Sequence, residues 1–122
     1  MKKETMLWLS QAKEDLNAAK FNYKGKQYKV TAFLCQQSAE KALKAILIEK
    51  DQRLRKTHDL VALGRDIGIS ESILEELKEL TLAYIYSRYP DVPVLRIENK
   101  IIQFLKTTTE VILWVDDHLK KN

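Results

Sequence analysis

The chain has 122 residues, of which 45% are hydrophobic and 31% are charged, with three Gly and two Pro. This length suits one domain spanning residues 1–122, and the scarcity of Gly and Pro excludes collagen-like, low-complexity and disordered proteins. The apolar runs are far shorter than the ~20 residues that a membrane helix needs, and no secretory signal follows the charged N-terminus. The single cysteine, Cys35, cannot form an internal disulfide. We therefore expect a cytoplasmic protein that does not contact a membrane.

The charge is uneven along the chain. Residues 1–56 hold 13 Lys/Arg and 6 Asp/Glu, a net +7, whereas residues 57–122 hold 8 and 11, a net −3. A basic half attracts phosphate, although a solvated lysine-rich surface explains the same pattern.

Apolar residues recur at helical spacing along the chain, and strand-like alternation is almost absent. The first helix is predicted over residues 3–23, and Gly25 is expected to end it in the left-handed conformation. Its apolar stripe comprises Trp8, Leu9, Ala12, Leu16 and Ala19.

The second helix is predicted over residues 27–50, with apolar residues on two sides. Its main stripe comprises Tyr28, Ala32, Cys35, Ala39, Leu43 and Ile46, with Ala42 beside it. A second row comprises Val30, Leu34, Ala45 and Ile48. Such a helix is either central in the fold or covered by another chain.

Three further helices follow. A short one is predicted over residues 58–66 with Thr57 as its N-cap, and a longer one begins after Ser70 or Ser72 and ends at about Tyr89. Its core stripe comprises Ile73, Leu77, Leu80 and Tyr84, and a second row comprises Leu82, Ile85, Tyr86 and Tyr89. The last helix is predicted from about Arg96 to Lys120. The pattern predicts an all-α fold, an up-and-down four-helix bundle with one additional short helix.

The sequence contains no clear metal-binding motif and no clear catalytic nucleophile. The two histidines, His58 and His118, are not in a Glu-x-x-His or similar ligand pair, and no CxxC occurs. We therefore predict no metal and no cofactor. His118 is expected to act as a cation at a helix C-terminus, and Cys35 as a buried apolar residue.

Two polar patches remain as candidate binding sites. The first is a basic loop, Lys50, Arg53, Arg55, Lys56 and His58, which leads into a helix N-terminus and suits an anion; a solvated loop is the alternative. The second comprises Tyr84, Tyr86, Ser87, Arg88, Tyr89, Pro90 and Asp91. An Arg among tyrosines stacks on bases or binds phosphate, and the alternative is a packed helix end with Arg88 paired to Asp15, Asp91 or Glu98. Simple up-and-down connectivity places the two patches at opposite ends of the bundle, with the Lys24–Lys29 turn beside Arg88.

Four segments together resemble the HEPN domain family. They are Ala12-x-x-Asp15-Leu16-x-x-Ala19, then Phe33-Leu34-Cys35-Gln36-Gln37-Ser38-Ala39-Glu40-Lys41-Ala42-Leu43-Lys44-Ala45, then Lys56-Thr57-His58-Asp59-Leu60, then Tyr84-Ile85-Tyr86-Ser87-Arg88-Tyr89-Pro90-Asp91. The resemblance implies a helical bundle that pairs as a homodimer. It also implies a minimal nucleotidyltransferase as partner, in several cases within a toxin–antitoxin system. Active members of the family carry an Arg-x4–6-His ribonuclease motif at the dimer cleft, and others are linked to nucleotide binding.

The ribonuclease motif is incomplete in this chain. Arg88 matches its Arg, but the positions for its His hold Pro93, Val94 and Leu95. We therefore expect a binding or interaction subunit, a homodimer that acts with a nucleotidyltransferase and contacts nucleotide or RNA, without ribonuclease activity. The site residues carried by this expectation are Arg88, Tyr84, Tyr86, Tyr89, Arg53, Arg55, Lys56 and His58. The alternatives are a divergent metal-independent ribonuclease that uses Arg88 and His58, and a structural dimer without a ligand.

Overall fold

The structure, a computed structural model, describes residues 1–53, 56–91 and 97–121. Within these ranges the regular elements are helices: α1 (Lys3–Lys24), α2 (Tyr28–Glu49), α3 (Leu60–Ile67), α4 (Glu71–Arg88) and α5 (Ile101–Lys121). Four long helices and the short α3 confirm the predicted all-α bundle. No helix in the described ranges is long and apolar enough to cross a membrane.

Helices α1 and α2 form an antiparallel hairpin around small residues. The three-residue connection brings the start of α1 to the end of α2, where Thr5 Oγ1 donates to Glu49 Oε1 at 2.9 Å. Midway along the pair, Ser38 Oγ donates to the Ala12 carbonyl at 2.6 Å. The alanines on the facing stripes are fully buried, so the two backbones approach closely.

Helix α2 is central, because it packs against α1, α3, α4 and α5. This position explains most of its two-sided apolar pattern. Of the second row, Ala45 and Ile48 are buried within the single chain, so the central position of α2 accounts for this part of the row. Val30, at the start of α2, is 43% exposed.

Helix α5 carries the clearest stripe and completes the core. Phe104, Val111 and Val115 are buried, as the spacing predicts, and Thr108 Oγ1 donates to the Cys35 carbonyl of α2 at 3.3 Å. The regular helix begins at Ile101, later than predicted, because a turn at residues 99–100 interrupts the helical residues 97–98. The predicted start at Arg96 lies outside the described residues.

Two predicted helix ends differ in detail. Helix α1 ends at Lys24 with Gly25 as its C-cap, but Gly25 has a φ of −83° and the left-handed residue is Lys26, with a φ of 60°. Thr57 is not the N-cap of α3. Asp59 takes that role and accepts hydrogen bonds from the backbone N–H groups of Val61 and Ala62, while Thr57 Oγ1 accepts from the Asp59 N–H. The carboxylate of Asp59 is a stronger acceptor for these groups than a hydroxyl.

Candidate functional site

A row of polar side chains crosses the apolar helix α2 at a spacing of four residues. Gln36, Glu40 and Lys44 lie on one face, next to the core stripe. Gln36 Nε2 donates to Glu40 Oε1 at 3.0 Å, and Lys44 Nζ donates to Glu40 Oε2 at 3.0 Å. Gln36 is fully buried and Glu40 is 6% exposed, so these bonds satisfy a carboxylate that would be costly to bury alone.

Glu40 holds His58, which precedes α3. The Nδ1 atom of His58 lies 2.7 Å from Glu40 Oε1, and Gln36 Nε2 donates to the His58 carbonyl at 3.3 Å. The Asp59 cap and a hydrogen bond from the Leu60 N–H to Thr81 Oγ1 at 3.2 Å fix the chain on either side of this contact. With Nδ1 directed at the carboxylate, the other ring nitrogen, Nε2, takes no part in this hydrogen bond.

Tyr84, on α4, joins His58 to Arg88. The His58 ring stacks on the Tyr84 ring with centroids 4.3 Å apart and an interplanar angle of 18°. The Arg88 guanidinium lies 4.9 Å from the centroid of the same ring, and its Nη1 donates to the Tyr84 hydroxyl. Arg88 is exposed and the His58 side chain is 53% exposed, so both are accessible to a ligand. We refer to Glu40, His58, Tyr84 and Arg88 as the Arg88 cluster.

The electrostatics of the cluster keep Glu40 ionised. Burial raises the pKa of its carboxyl group, but hydrogen bonds from His58, Gln36 and Lys44 outweigh burial, and the pKa is lowered overall. A negative charge beside His58 favours the tautomer of the ring that donates from Nδ1.

The predicted site residues divide into two groups. His58 and Arg88 come together through Tyr84 within one chain, so the expectation that their patches lie at opposite ends of the bundle is wrong for His58. Asp15 forms an ion pair with Lys41 at 2.7 Å, which corrects its proposed pairing with Arg88.

The other candidates lie beside the cluster or outside it. Tyr86 is partly buried and packs against the core, whereas Tyr89 is 55% exposed. Arg53 and Lys56 are exposed. Arg55 and residues 93–95 lie outside the described residues.

Sequence reasoning did not assign Glu40, Gln36 or Lys44 to the site, although Glu40 and its neighbours were part of the family resemblance. The available signal was a polar row at i, i+4 spacing inside a helix with apolar residues on two sides. Such a row has to be hydrogen-bonded when it is buried.

Among the described residues, the remaining reactive side chains, Cys35 and His118, do not form a second reactive cluster. Burial raises the pKa of the Cys35 thiol to about 12, which makes it inert. His118 stacks on Trp114 with centroids 4.8 Å apart, and burial together with Lys50 lowers its pKa, which favours a neutral ring over the cation that we expected. Across residues 1–53, 56–91 and 97–121, no three His, Cys, Asp or Glu side chains come together as metal ligands.

Comparisons with known proteins identify one family and several similar folds. A family model described as the HEPN domain matches residues 5–118. The fold is similar to TT1696 from Thermus thermophilus, which is 26% identical, with 95% of this chain and 98% of that chain covered and a TM-score of 0.85. It is also similar to ST0689, an archaeal HEPN homologue, at 29% identity, 97% and 98% coverage and a TM-score of 0.77.

A third solved structure, a HEPN domain protein (tm0613) from Thermotoga maritima, is 21% identical, with 94% and 98% coverage and a TM-score of 0.80. At that identity the likeness concerns the fold alone. No curated protein matches the chain.

Proposed function

Because the chain belongs to the HEPN domain family, we propose that it is a homodimeric binding subunit whose Arg88 cluster contacts the phosphate of a nucleotide or RNA. The observation that carries the proposal is the joint packing of His58 and Arg88 on Tyr84, with both side chains accessible. Guanidinium and imidazole donors suit phosphate oxygens, and Arg binds them in a bidentate manner.

The test is binding of a fluorescent mononucleotide and a short labelled RNA to the purified protein. A charge-assisted hydrogen bond contributes about 1.5–3 kcal/mol, so we expect Arg88→Ala to weaken binding roughly ten- to hundredfold. His58→Ala should also weaken it. Arg65→Ala is the matched control, because Arg65 is an exposed arginine at the end of α3 and lies outside the Arg88 cluster. Equal affinities for the Arg88 and Arg65 variants would refute the proposal.

The protein partner in this proposal is a minimal nucleotidyltransferase, and membership of the family supports it. Co-expression with a nucleotidyltransferase encoded beside this gene should yield a complex that survives size-exclusion chromatography. A toxin–antitoxin role predicts that the chain expressed alone slows growth and that the partner restores it. Separate elution of the two proteins would count against the partnership.

A second candidate function, ribonuclease activity, is favoured by the Glu40–His58 hydrogen bond of 2.7 Å. In this reaction His58 Nε2 takes the proton of a 2′-hydroxyl, the 2′ oxygen forms a bond to phosphorus, and the bond from phosphorus to the 5′ oxygen breaks. Water protonates the leaving oxygen, and Arg88 stabilises the negative charge that develops on the non-bridging phosphate oxygens. The products are a 2′,3′-cyclic phosphate and a 5′-hydroxyl.

Incubation of the protein with a labelled RNA separates the two candidates. We expect the wild type to bind without cleavage, because the Arg-x4–6-His motif is incomplete. Cleavage that leaves cyclic phosphate ends and that disappears in both His58→Ala and Arg88→Ala would establish the ribonuclease instead. Cleavage that persists in both variants would indicate a contaminating enzyme.

A further inference from the structure

The lysines at the α1–α2 turn differ from most others in the chain. Residues 16–39 contain four lysines and no acidic residue, so this segment accounts for the whole net charge of +4. Of the twelve lysines elsewhere, seven form ion pairs between described residues, namely Lys2–Asp51, Lys13–Asp116, Lys41–Asp15, Lys44–Glu40, Lys78–Glu75, Lys100–Glu79 and Lys121–Asp117. Among the described residues, Lys20, Lys24, Lys26 and Lys29 have no carboxylate partner. We refer to residues 20–29 as the basic turn.

An aromatic ring stands among these lysines. Phe21 is 77% exposed, the highest value for a large apolar side chain in the described part of the molecule. It lies on the outside of α1 between Lys20 and Lys24, whereas the next aromatic residue, Tyr23, packs against Tyr28 with ring centroids 6.0 Å apart. A solvated lysine surface does not need an exposed Phe, because that ring costs free energy in water.

The basic turn is continuous with the Arg88 cluster. Lys29 Nζ donates to the Tyr89 carbonyl at 3.2 Å, which places the start of α2 beside the end of α4 and hence beside Arg88. One carboxylate, that of Glu98, does approach the turn, but its partner there is the Tyr28 hydroxyl. Burial of Tyr28, followed by the charge and hydrogen bond of Glu98, raises the pKa of that phenol.

We propose that the basic turn binds single-stranded RNA, with Lys20, Lys24 and Lys26 on successive phosphates and a base stacked on Phe21. The ligand class rests on the proposed function of the Arg88 cluster. The inference goes further, because it makes the ligand a strand that extends from Arg88 to the turn rather than a mononucleotide. Proteins that bind single-stranded nucleic acid usually combine cationic side chains along the sugar–phosphate backbone with aromatic rings on which bases stack. A lipid surface suits this turn less well, because Phe21 is a single ring on the side of a helix and the turn adjoins a phosphate-binding cluster.

The test measures the salt dependence of binding to a labelled oligouridine of about twelve nucleotides. For single strands, the logarithm of the affinity falls with the logarithm of salt by ≈ 0.7 per neutralised phosphate. The triple variant Lys20→Gln/Lys24→Gln/Lys26→Gln should therefore lower the slope by about 2. Phe21→Ala should weaken binding about tenfold without changing the slope, since stacking is not ionic.

The matched control is Lys13→Gln/Lys78→Gln/Lys121→Gln, which removes the same charge from exposed lysines that are already paired. An equal fall of the slope in both triple variants would show a general charge effect and overturn the inference. All the substituted positions are exposed, so we expect the variants to keep the wild-type circular dichroism and melting temperature.

The outcomes also separate the inference from the proposed function. Uridine monophosphate binding should depend on Arg88 and be unchanged in the basic-turn variants. Oligouridine affinity that falls in Arg88→Ala but not in the basic-turn variants would overturn the inference and keep the proposed function. The reverse pattern would keep the turn as an RNA site and refute the role of Arg88. Loss of binding to phosphatidylserine vesicles in the basic-turn triple variant, with no oligouridine binding by the wild type, would assign the turn to a membrane and overturn the inference.

Discussion

At the scale of single residues, Tyr84 shows how one side chain converts two distant segments into a site. Its ring stacks on the His58 ring and also makes a cation–π contact with the Arg88 guanidinium. Aromatic stacking and the cation–π contact restrict both groups in advance, so a bound phosphate would order fewer torsions.

The first prediction concerns Glu40, whose lowered pKa makes stability depend on pH. A carboxyl group with a pKa below its unfolded value stabilises the fold above that value, about 4.3, and loses the contribution as pH falls through the folded pKa. Glu40→Gln should therefore cost about 1–2 kcal/mol of unfolding free energy at pH 7, and the difference from wild type should shrink between about pH 5 and pH 3. Urea unfolding at several pH values measures it.

Glu75→Gln is the control for this prediction, since Glu75 is an exposed carboxylate paired with Lys78 at 3.1 Å. Exposed pairs contribute little, so this variant should follow the wild-type curve. If Glu40→Gln also follows the wild-type curve at every pH, the ionised network around His58 does not stabilise the fold.

The second prediction concerns the Cys35 thiol. It is fully buried and its pKa is raised to about 12, so at pH 8 roughly one thiol in ten thousand is a thiolate. An aromatic disulfide reagent should label the native protein slowly and the urea-unfolded protein at once. Rapid labelling without denaturant would mean that the face of α2 that contacts α5 opens readily.

At the scale of elements, the contact between α3 and α4 depends on a glycine for space. A Cβ atom at Gly64 would lie 2.9 Å from both Ile69 Cγ2 and Leu74 Cδ2, and 3.1 Å from Leu77 Cδ1. These side chains are buried, so they have little room to move. The third prediction is that Gly64→Ala destabilises the protein by about 1 kcal/mol, because an overpacking cost of about 1–3 kcal/mol exceeds the gain in helix propensity.

Gly68→Ala is the informative comparison for Gly64→Ala. Gly68 has open space around its Cα but a φ of 74°, so an alanine there costs about 1–2 kcal/mol through backbone strain alone. A reduction in side-chain volume nearby, Leu77→Val, should partly rescue Gly64→Ala by making room and should not rescue Gly68→Ala. If Leu77→Val rescued both Gly64→Ala and Gly68→Ala, the cost of Gly64→Ala would not come from local overpacking.

The same elements show what the sequence could and could not predict. The helices follow from apolar residues repeated every 3.6 positions, as on α5, because that repeat leaves one face to bury. The Arg88 cluster depends instead on the contact between His58, which precedes α3, and Glu40 in the middle of α2. No periodic pattern in the sequence encodes that contact, and the buried pair of Gln36 and Glu40 resembles an ordinary polar face until its burial is known.

At the scale of the whole molecule, apolar side chains remain exposed where α2 begins and α4 ends. Val30 is 43% exposed, Phe33 37%, Ile85 44% and Tyr89 55%, and the hydrogen bond from Lys29 to the Tyr89 carbonyl places the two helix ends side by side. Exposed apolar surface of this kind usually marks an interface between chains. Since Glu40, Tyr84 and Arg88 of the cluster lie on the same two helices, a second copy on this surface would enclose Arg88 in a cleft.

The fourth prediction is that the protein is a homodimer through this surface. Light scattering after size-exclusion chromatography should give twice the 14.2 kDa of one chain for the wild type. Ile85→Lys places a charge in the interface and should give monomers, because an unpaired charge is costly to bury between chains. Leu113→Lys alters a side chain that is 62% exposed on α5, and should leave the dimer intact. A wild-type monomer at tens of micromolar would refute the dimer, whereas a dimer lost only in Leu113→Lys would move the interface from α2 and α4 to α5.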